Sequence, residues 1–303
     1  FRFGLQLADA APGLSWADTA RRVEDAGFST LFMPDHFGDQ LSPIAALAAA
    51  ATATTELRVG ALVFGNDYRH PIVLAKELAT IDVMSSGRVE IGLGAGWMRT
   101  DYEQSGMAYD RPGTRIERLE EAISVVRGCM APGPFSFAGT HYQVADYDGL
   151  PKPVQSPPPL LIGGGGERML TLAATQADIV GVTANLRAGE IGPDAVADTV
   201  ADAYDQKLEW VRTAAGDREP ELSSLTMHLE HTDDRTSALE GVSALFGISP
   251  DAAAQTPALL VGTVDEICAD LEARRDRWGF NYPVLQGHDF DTFTEIIDRL
   301  SGR

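Results

Sequence analysis

The stretch FGLQLADAAPGLSWADTARRVEDAGFSTLFM, Phe3 to Met33, decides the fold. Phe3–Leu7 has the look of a strand. Ser15–Ala26 then places Trp16, Ala20, Val23 and Ala26 at helical spacing, with Ser15 suited to the N-cap and Gly27 to the C-terminal stop. Thr30–Met33 is a second apolar strand. The pattern repeats outward through helix Pro43–Ala53, strand Leu57–Val63, helix His70–Met84 and strand Val89–Leu93. Strands that alternate with amphipathic helices in this way build a parallel sheet with the helices outside it.

After Leu93 the alternation pauses. A long helix is expected around Gly113–Cys129, then a hairpin through Phe135–Phe137 and His141–Val144, then the proline-rich Leu150–Pro159. It resumes with strand Leu160–Ile162, helix Glu167–Ala174, strand Ile179–Val182, helix Pro193–Ala215, strand Leu222–His228, helices covering Thr236–Ala253, helix Val264–Trp278, strand Tyr282–Leu285 and helix Asp291–Leu300. Eight strands with no internal linker are most economically an α/β (β/α)8 TIM barrel with an insertion after strand four, one domain over residues 1–303. An open doubly wound sheet is the alternative; no GxGxxG follows the first strand to support it.

Composition narrows the function. The 303 residues carry a formal net charge of −20, which opposes nucleic acid and anionic membrane over the general surface. No window reaches the roughly 18 consecutive apolar residues of a membrane span, and the first residues lack the basic and apolar regions of a signal peptide. Cys129 and Cys268 lie in helical patterns outside any CxxC or metal-spaced cluster, so two buried thiols in a reducing cytoplasm are expected.

In a barrel, chemistry belongs at the C-terminal strand ends. Strand two ends in Pro34-Asp35-His36, strand three in Phe64-Gly65-Asn66-Asp67, strand four in Gly94-Ala95-Gly96-Trp97, strand five in Gly163-Gly164-Gly165-Gly166, and strand six in Thr183. His36 is the acid/base candidate, since imidazole titrates near neutrality; the competing reading is a histidine hydrogen-bonded in a loop. Direct pairing of Asp35 with His36 is not assured, because adjacent residues on an extended strand point opposite ways. The tetraglycine opens a helix, and bare backbone at a helix N-terminus suits a phosphate; a flexible turn is the other reading. Arg168 would face that phosphate or simply solvent. The six histidines contain no HxH or HExxH, and GxSxG is absent, which leaves a cofactor enzyme ahead of metal hydrolysis or covalent acyl transfer.

The segment Tyr68–Trp97, YRHPIVLAKELATIDVMSSGRVEIGLGAGW, resembles the hallmark stretch of the bacterial luciferase-like monooxygenase superfamily. Asp35-His36-Phe37, Leu150–Gln155, Leu161–Gly166 and Val261-Gly262-Thr263 follow in that family's order, so the resemblance covers essentially the whole chain. It is most similar to actinobacterial oxidoreductases that use the deazaflavin coenzyme F420; other branches use FMN. The resemblance implies hydride transfer between the ring and a small organic substrate, with Asp35 and His36 catalytic. It sets the cofactor against Ala61, Leu62, Phe64, Gly96, Trp97, Thr100, Gly164, Gly165, Gly166 and Thr183. A non-proline cis peptide is implied at Ala61-Leu62, and a homodimer by analogy.

Departures from the family pattern matter too. Trp97 stands where the sugar-phosphate dehydrogenases of that superfamily carry a catalytic glutamate, Thr100 replaces an asparagine, and Gln40 a tryptophan. Sugar-phosphate oxidation is therefore not expected, and a less charged, aromatic or alkene-containing substrate is. An FMN-dependent monooxygenase and a non-catalytic flavin-binding protein are the competing functions.

Overall fold

A computed structural model describes residues 1–303. Eight parallel strands close into a barrel: β1 Gly4–Gln6, β2 Thr30–Met33, β3 Arg58–Ala61, β4 Val89–Gly94, β5 Leu160–Gly164, β6 Ile179–Val182, β7 Glu221–Leu225 and β8 Phe280–Gln286. Each pairs with the next in chain order, and β8 returns to β1 through Gly4 opposite Val284. This is the (β/α)8 barrel expected, with the insertion after β4. No helix is long and apolar enough to cross a membrane.

The period of two along each strand sorts side chains between two cores. On β2, Phe32 points into the barrel, where it meets Leu161, Ile179, Tyr282 and Val284. Leu31 and Met33 point outward into the larger core between strands and helices. Helix Trp16–Asp25 begins at Ser15, whose hydroxyl accepts from the Asp18 N–H, and Gly27 follows its end at φ +84°.

A polar plug seals the N-terminal end of the barrel. Glu90 is buried there and accepts from Arg2 Nη1 at 2.6 Å, Arg58 Nε at 2.8 Å and the Tyr282 hydroxyl at 3.1 Å. Arg2 also lies 3.5 Å from the centroid of the Tyr282 ring. Both carboxylate oxygens are therefore hydrogen-bonded and the charge is met by two guanidinium groups, as burial of a charge requires. The open end lies opposite, at the strand C-termini.

Several elements differ from expectation. The strand expected over Leu222–His228 splits: β7 ends at Leu225, and His228–His231 leaves the barrel to pair in parallel with Leu259–Gly262 as a satellite sheet. The second strand of that pair is too short an apolar run for periodicity to reveal. The helix expected over Pro193–Ala215 breaks into Pro193–Ala197 and Ala201–Ala215. The helices expected to cover Thr236–Ala253 are Arg235–Phe246 and Pro250–Gln255, parted at Gly247, which is left-handed at φ +67°. Within the insertion, a short helix Arg99–Ser105 precedes the long helix Pro112–Met130 and the hairpin Phe135–Ala138 with Gln143–Tyr147.

Candidate active site

The strand C-termini surround a cavity of about 690 Å³. His36, Asp35, Leu62, Gly96, Trp97, Gly164, Gly165, Gly166 and Thr183 line it. Ala61 and Phe64 do not: both are fully buried in the core between strands and helices. Thr100 is exposed in the first turn of helix Arg99–Ser105 and also lies outside the lining.

Asp35 and His36 diverge, as neighbours on an extended segment do. Asp35 turns away to a bidentate pair with Arg69, at 2.6 and 3.0 Å, and accepts from the Gly65 N–H. It ties the β2 and β3 loops together. His36 instead pairs with Asp101, whose Oδ2 lies 2.7 Å from Nδ1. Asp101 stands on helix Arg99–Ser105 with its side chain 5% exposed. It also accepts from the Tyr68 hydroxyl at 2.9 Å and from the Phe37 N–H at 3.3 Å. Burial, and then the hydrogen bond to Asp101, push the Tyr68 phenol well above its ordinary range, so it stays a donor.

An ionised carboxylate only accepts, which assigns the shared proton to Nδ1. Nε2 is then the nitrogen left for the cavity. His36 is 24% exposed, and the edge-on ring of Trp97, 5.4 Å between centroids at 84°, fixes its other side. The Trp97 carbonyl accepts from the Tyr109 hydroxyl at 3.0 Å.

The β3 end makes a bulge into the cavity. The cis peptide is Leu62-Val63, one bond beyond the Ala61-Leu62 implied by resemblance. The Leu62 N–H still donates to the Met33 carbonyl at 2.9 Å, so the preceding peptide stays in the ladder and the turn comes after it. Glycines on β4 make the room: a Cβ on Gly92 would lie 1.8 Å from the Ala61 carbonyl oxygen, and one on Gly94 2.4 Å from Val63 Cγ2. From beneath, Gln286 donates to Gln6, and Gln6 donates to the Leu62 carbonyl at 2.6 Å.

Across the mouth, β5 runs through Gly163 and Gly164, and helix Glu167–Gln176 starts after Gly166 with no side-chain cap. Its first-turn N–H groups have no side-chain cap and no partner within the helix, the state in which helix N-termini can receive an anion. Gly165 allows β5 to lie against the next loop, since a Cβ there would sit 2.3–2.4 Å from backbone atoms of Thr183 and Ala184. Arg168 reaches Glu117 at 3.2 Å. Arg115 also lines the cavity, 2% exposed, with Nη1 donating to the Asp110 carbonyl at 2.7 Å, Tyr109 beneath it at 4.3 Å, and Nε buried without a partner. An uncapped helix N-terminus, a buried arginine with its Nε unpaired, and a bulge and an indole beside a histidine, all around one cavity, fit a flat ring carrying a phosphate.

No local pattern in the sequence marks Asp101, Tyr68 or Arg115 as site residues. Asp101 is separated from His36 by 65 positions, and its one local signal is its place four residues after Trp97.

Comparison with known proteins gives a consistent result. Residues 8–281 match the model of a family described as luciferase-like monooxygenase. The chain is 26% identical over 302 residues to an F420-dependent glucose-6-phosphate dehydrogenase of Amycolatopsis mediterranei, covering 90% of this chain and 89% of that one. It is 32% identical over 173 residues to an FMNH(2)-dependent dimethylsulfone monooxygenase of Pseudomonas fluorescens, covering 57% of this chain and 44% of that one. Among solved structures, the coenzyme F420 dependent tetrahydromethanopterin reductase from Methanopyrus kandleri shares the fold, with a TM-score of 0.77 at 20% identity over 99% of this chain and 97% of that one.

Proposed function

The chain belongs to the luciferase-like monooxygenase family, and from that premise we propose that it is a coenzyme F420-dependent oxidoreductase moving hydride between the deazaflavin and a small organic substrate. The single observation that carries the reading is the buried Asp101 holding His36 Nδ1 at 2.7 Å on the cavity wall that faces the uncapped helix N-terminus. The choice of F420 over FMN is supported by the relative that aligns along almost the whole chain. FMN is the second reading, favoured by the monooxygenase relative over a shorter stretch. We propose further that residues 1–303 act as one domain and that the enzyme works as a homodimer.

When bound, such a ring supplies a site that accepts or returns hydride. The chain's own residues do the rest. The first-turn N–H groups after Gly166, with Arg115, would hold the phosphate. Leu62 and Val63 would support the ring from β3, with Gly96 and Thr183 at its margins. His36 takes at Nε2 the proton that leaves the substrate as its carbon loses hydride, and gives it back in the opposite direction. Asp101 keeps the imidazole in the tautomer and direction this requires. Asp35 acts at one remove, by fixing the loop that carries His36.

Titration of cofactor-free protein with F420 and with FMN, read through tryptophan fluorescence, tests the cofactor. Micromolar binding of F420 is expected; micromolar FMN with no response to F420 would reverse the choice. His36→Ala should retain cofactor and lose turnover, whereas a non-catalytic flavin-binding protein would lose nothing.

A further inference from the structure

A lysine buried behind the cavity has no part in the chemistry so far. Lys207, on helix Ala201–Ala215, has a side chain 1% exposed. Its Nζ donates to the Thr183 carbonyl at 2.9 Å and to the Asp198 carbonyl at 2.6 Å, with the Asp198 carboxylate also at 2.6 Å. An ammonium has three N–H groups, and three acceptors surround it here. Without them its burial would be costly. The acceptors belong to the two ends of one segment, which leaves β6 at Thr183 and reaches Asp198 after the short helix Pro193–Ala197. Lys207 therefore closes that segment as a staple, and the Asp198 carboxylate extends it by accepting from the Asn185 N–H at 2.7 Å. The far turn is held separately: Arg99 donates from its N–H to the Gly189 carbonyl at 2.9 Å and from Nη2 to that of Ala188 at 2.7 Å.

The stapled residues form the wall that faces the tetraglycine. The Thr183 N–H donates to the Gly164 carbonyl at 3.0 Å, and the Thr183 and Ala184 backbone lies against Gly165. Next along, Asn185 Nδ2 is the atom a Cβ on Gly166 would meet first, at 3.2 Å. Asn185 Oδ1 turns the other way and accepts from the Arg187 N–H at 3.2 Å, which assigns the orientation of the amide. An NH₂ donor therefore stands beside Gly166 on the cavity lining, where helix Glu167–Gln176 begins without a side-chain cap.

We propose that Asn185 binds the cofactor phosphate, donating from Nδ2 beside the first-turn N–H groups, and that Lys207 and Asp198 are positioning residues that hold it there. The proposal rests on the reading of the glycine-rich mouth as a phosphate site. Lys207 acts by placing backbone and not by its field, because the Asp198 carboxylate matches its charge at 2.6 Å.

The test is titration of cofactor-free protein, read by fluorescence, with ring pairs that differ at the phosphate. FMN against riboflavin isolates that group, and F420 against its unphosphorylated deazariboflavin core makes the comparison for the deazaflavin. Asn185→Ala should shrink the preference for the phosphorylated ring by about 10-fold or more, the loss of a hydrogen bond to a charged group, and leave the unphosphorylated ring within about threefold. Lys207→Met should shrink the preference by about fivefold, as a hydrogen bond loosened and not removed, again sparing the unphosphorylated ring. Asp198→Asn separates placement from field: placement predicts a weaker phosphate preference, whereas a field acting on the anion would grow on losing its counter-charge. It also carries the test if Lys207→Met folds poorly. A preference within about twofold of the parent in Asn185→Ala or Lys207→Met, a stronger one in Asp198→Asn, or equal losses for both members of a pair would overturn the proposal. A parent that binds both members of each pair equally would overturn the phosphate reading itself, and this proposal with it.

Discussion

Asp101→Asn is the sharpest perturbation of the site, because it removes a charge and almost no volume. In the parent, Asp101 Oδ2 is 2.7 Å from His36 Nδ1 and 2.9 Å from the Tyr68 hydroxyl, in a spot where its side chain is 5% exposed. A hydrogen bond to a charged group is worth about 1.5–3 kcal/mol. At about 1.4 kcal/mol per decade, its loss weakens the preference for Nδ1–H by about 10- to 150-fold. The asparagine must also choose between turning its amide oxygen to His36 and turning its NH₂ there; the second choice inverts the tautomer. The assay is the ¹⁵N spectrum of His36, which reads which ring nitrogen carries the proton and needs no substrate. Parent protein should show protonated Nδ1 and bare Nε2, and Asp101→Asn a mixture or the reverse. Turnover, once a substrate is in hand, should fall by about the same 10- to 150-fold, with Asp101→Glu recovering part of it and cofactor affinity unchanged within threefold. An unchanged ¹⁵N spectrum, or turnover within twofold of the parent in a normally folded variant, would refute the role assigned to Asp101.

The two glycines of the cradle should separate in their effects. Gly165→Ala forces a Cβ to 2.3–2.4 Å from the Thr183 and Ala184 backbone and should cost about 1–3 kcal/mol in urea unfolding. Gly166→Ala meets first only the Asn185 amide, at 3.2 Å, so it should fold nearly normally and lose cofactor affinity; equal stability losses would count against this account. Glu90→Ala leaves Arg2 and Arg58 without their shared partner at the closed end of the barrel and should cost about 3–5 kcal/mol, while cofactor affinity is unchanged. Burial pushes the Cys129 thiol up to about 11. The unfolded chain therefore releases this proton first, so stability is full below pH 8.5–9 and falls as pH rises toward 11. Cys129→Ala should shrink that loss in urea midpoints between pH 8 and 11.

The legible features were those written locally. Strand–helix alternation, the Ser15 cap, the Gly27 stop and the insertion after β4 depend on neighbours a few residues apart, where side-chain periodicity and backbone preference act directly. The strand ends followed from the barrel, and with them His36, Trp97 and the glycines of β5. What tertiary structure alone decided were the partnerships. Asp35 adjoins His36 in sequence yet binds Arg69, because extended backbone sends adjacent side chains apart, while Asp101 arrives from a short helix in the insertion. Whether Ala61 and Phe64 meet the cavity or the core depended on where β3 leaves its ladder. Such contacts join positions tens of residues apart. Their geometry is set by packing of the whole barrel, and no local pattern encodes it.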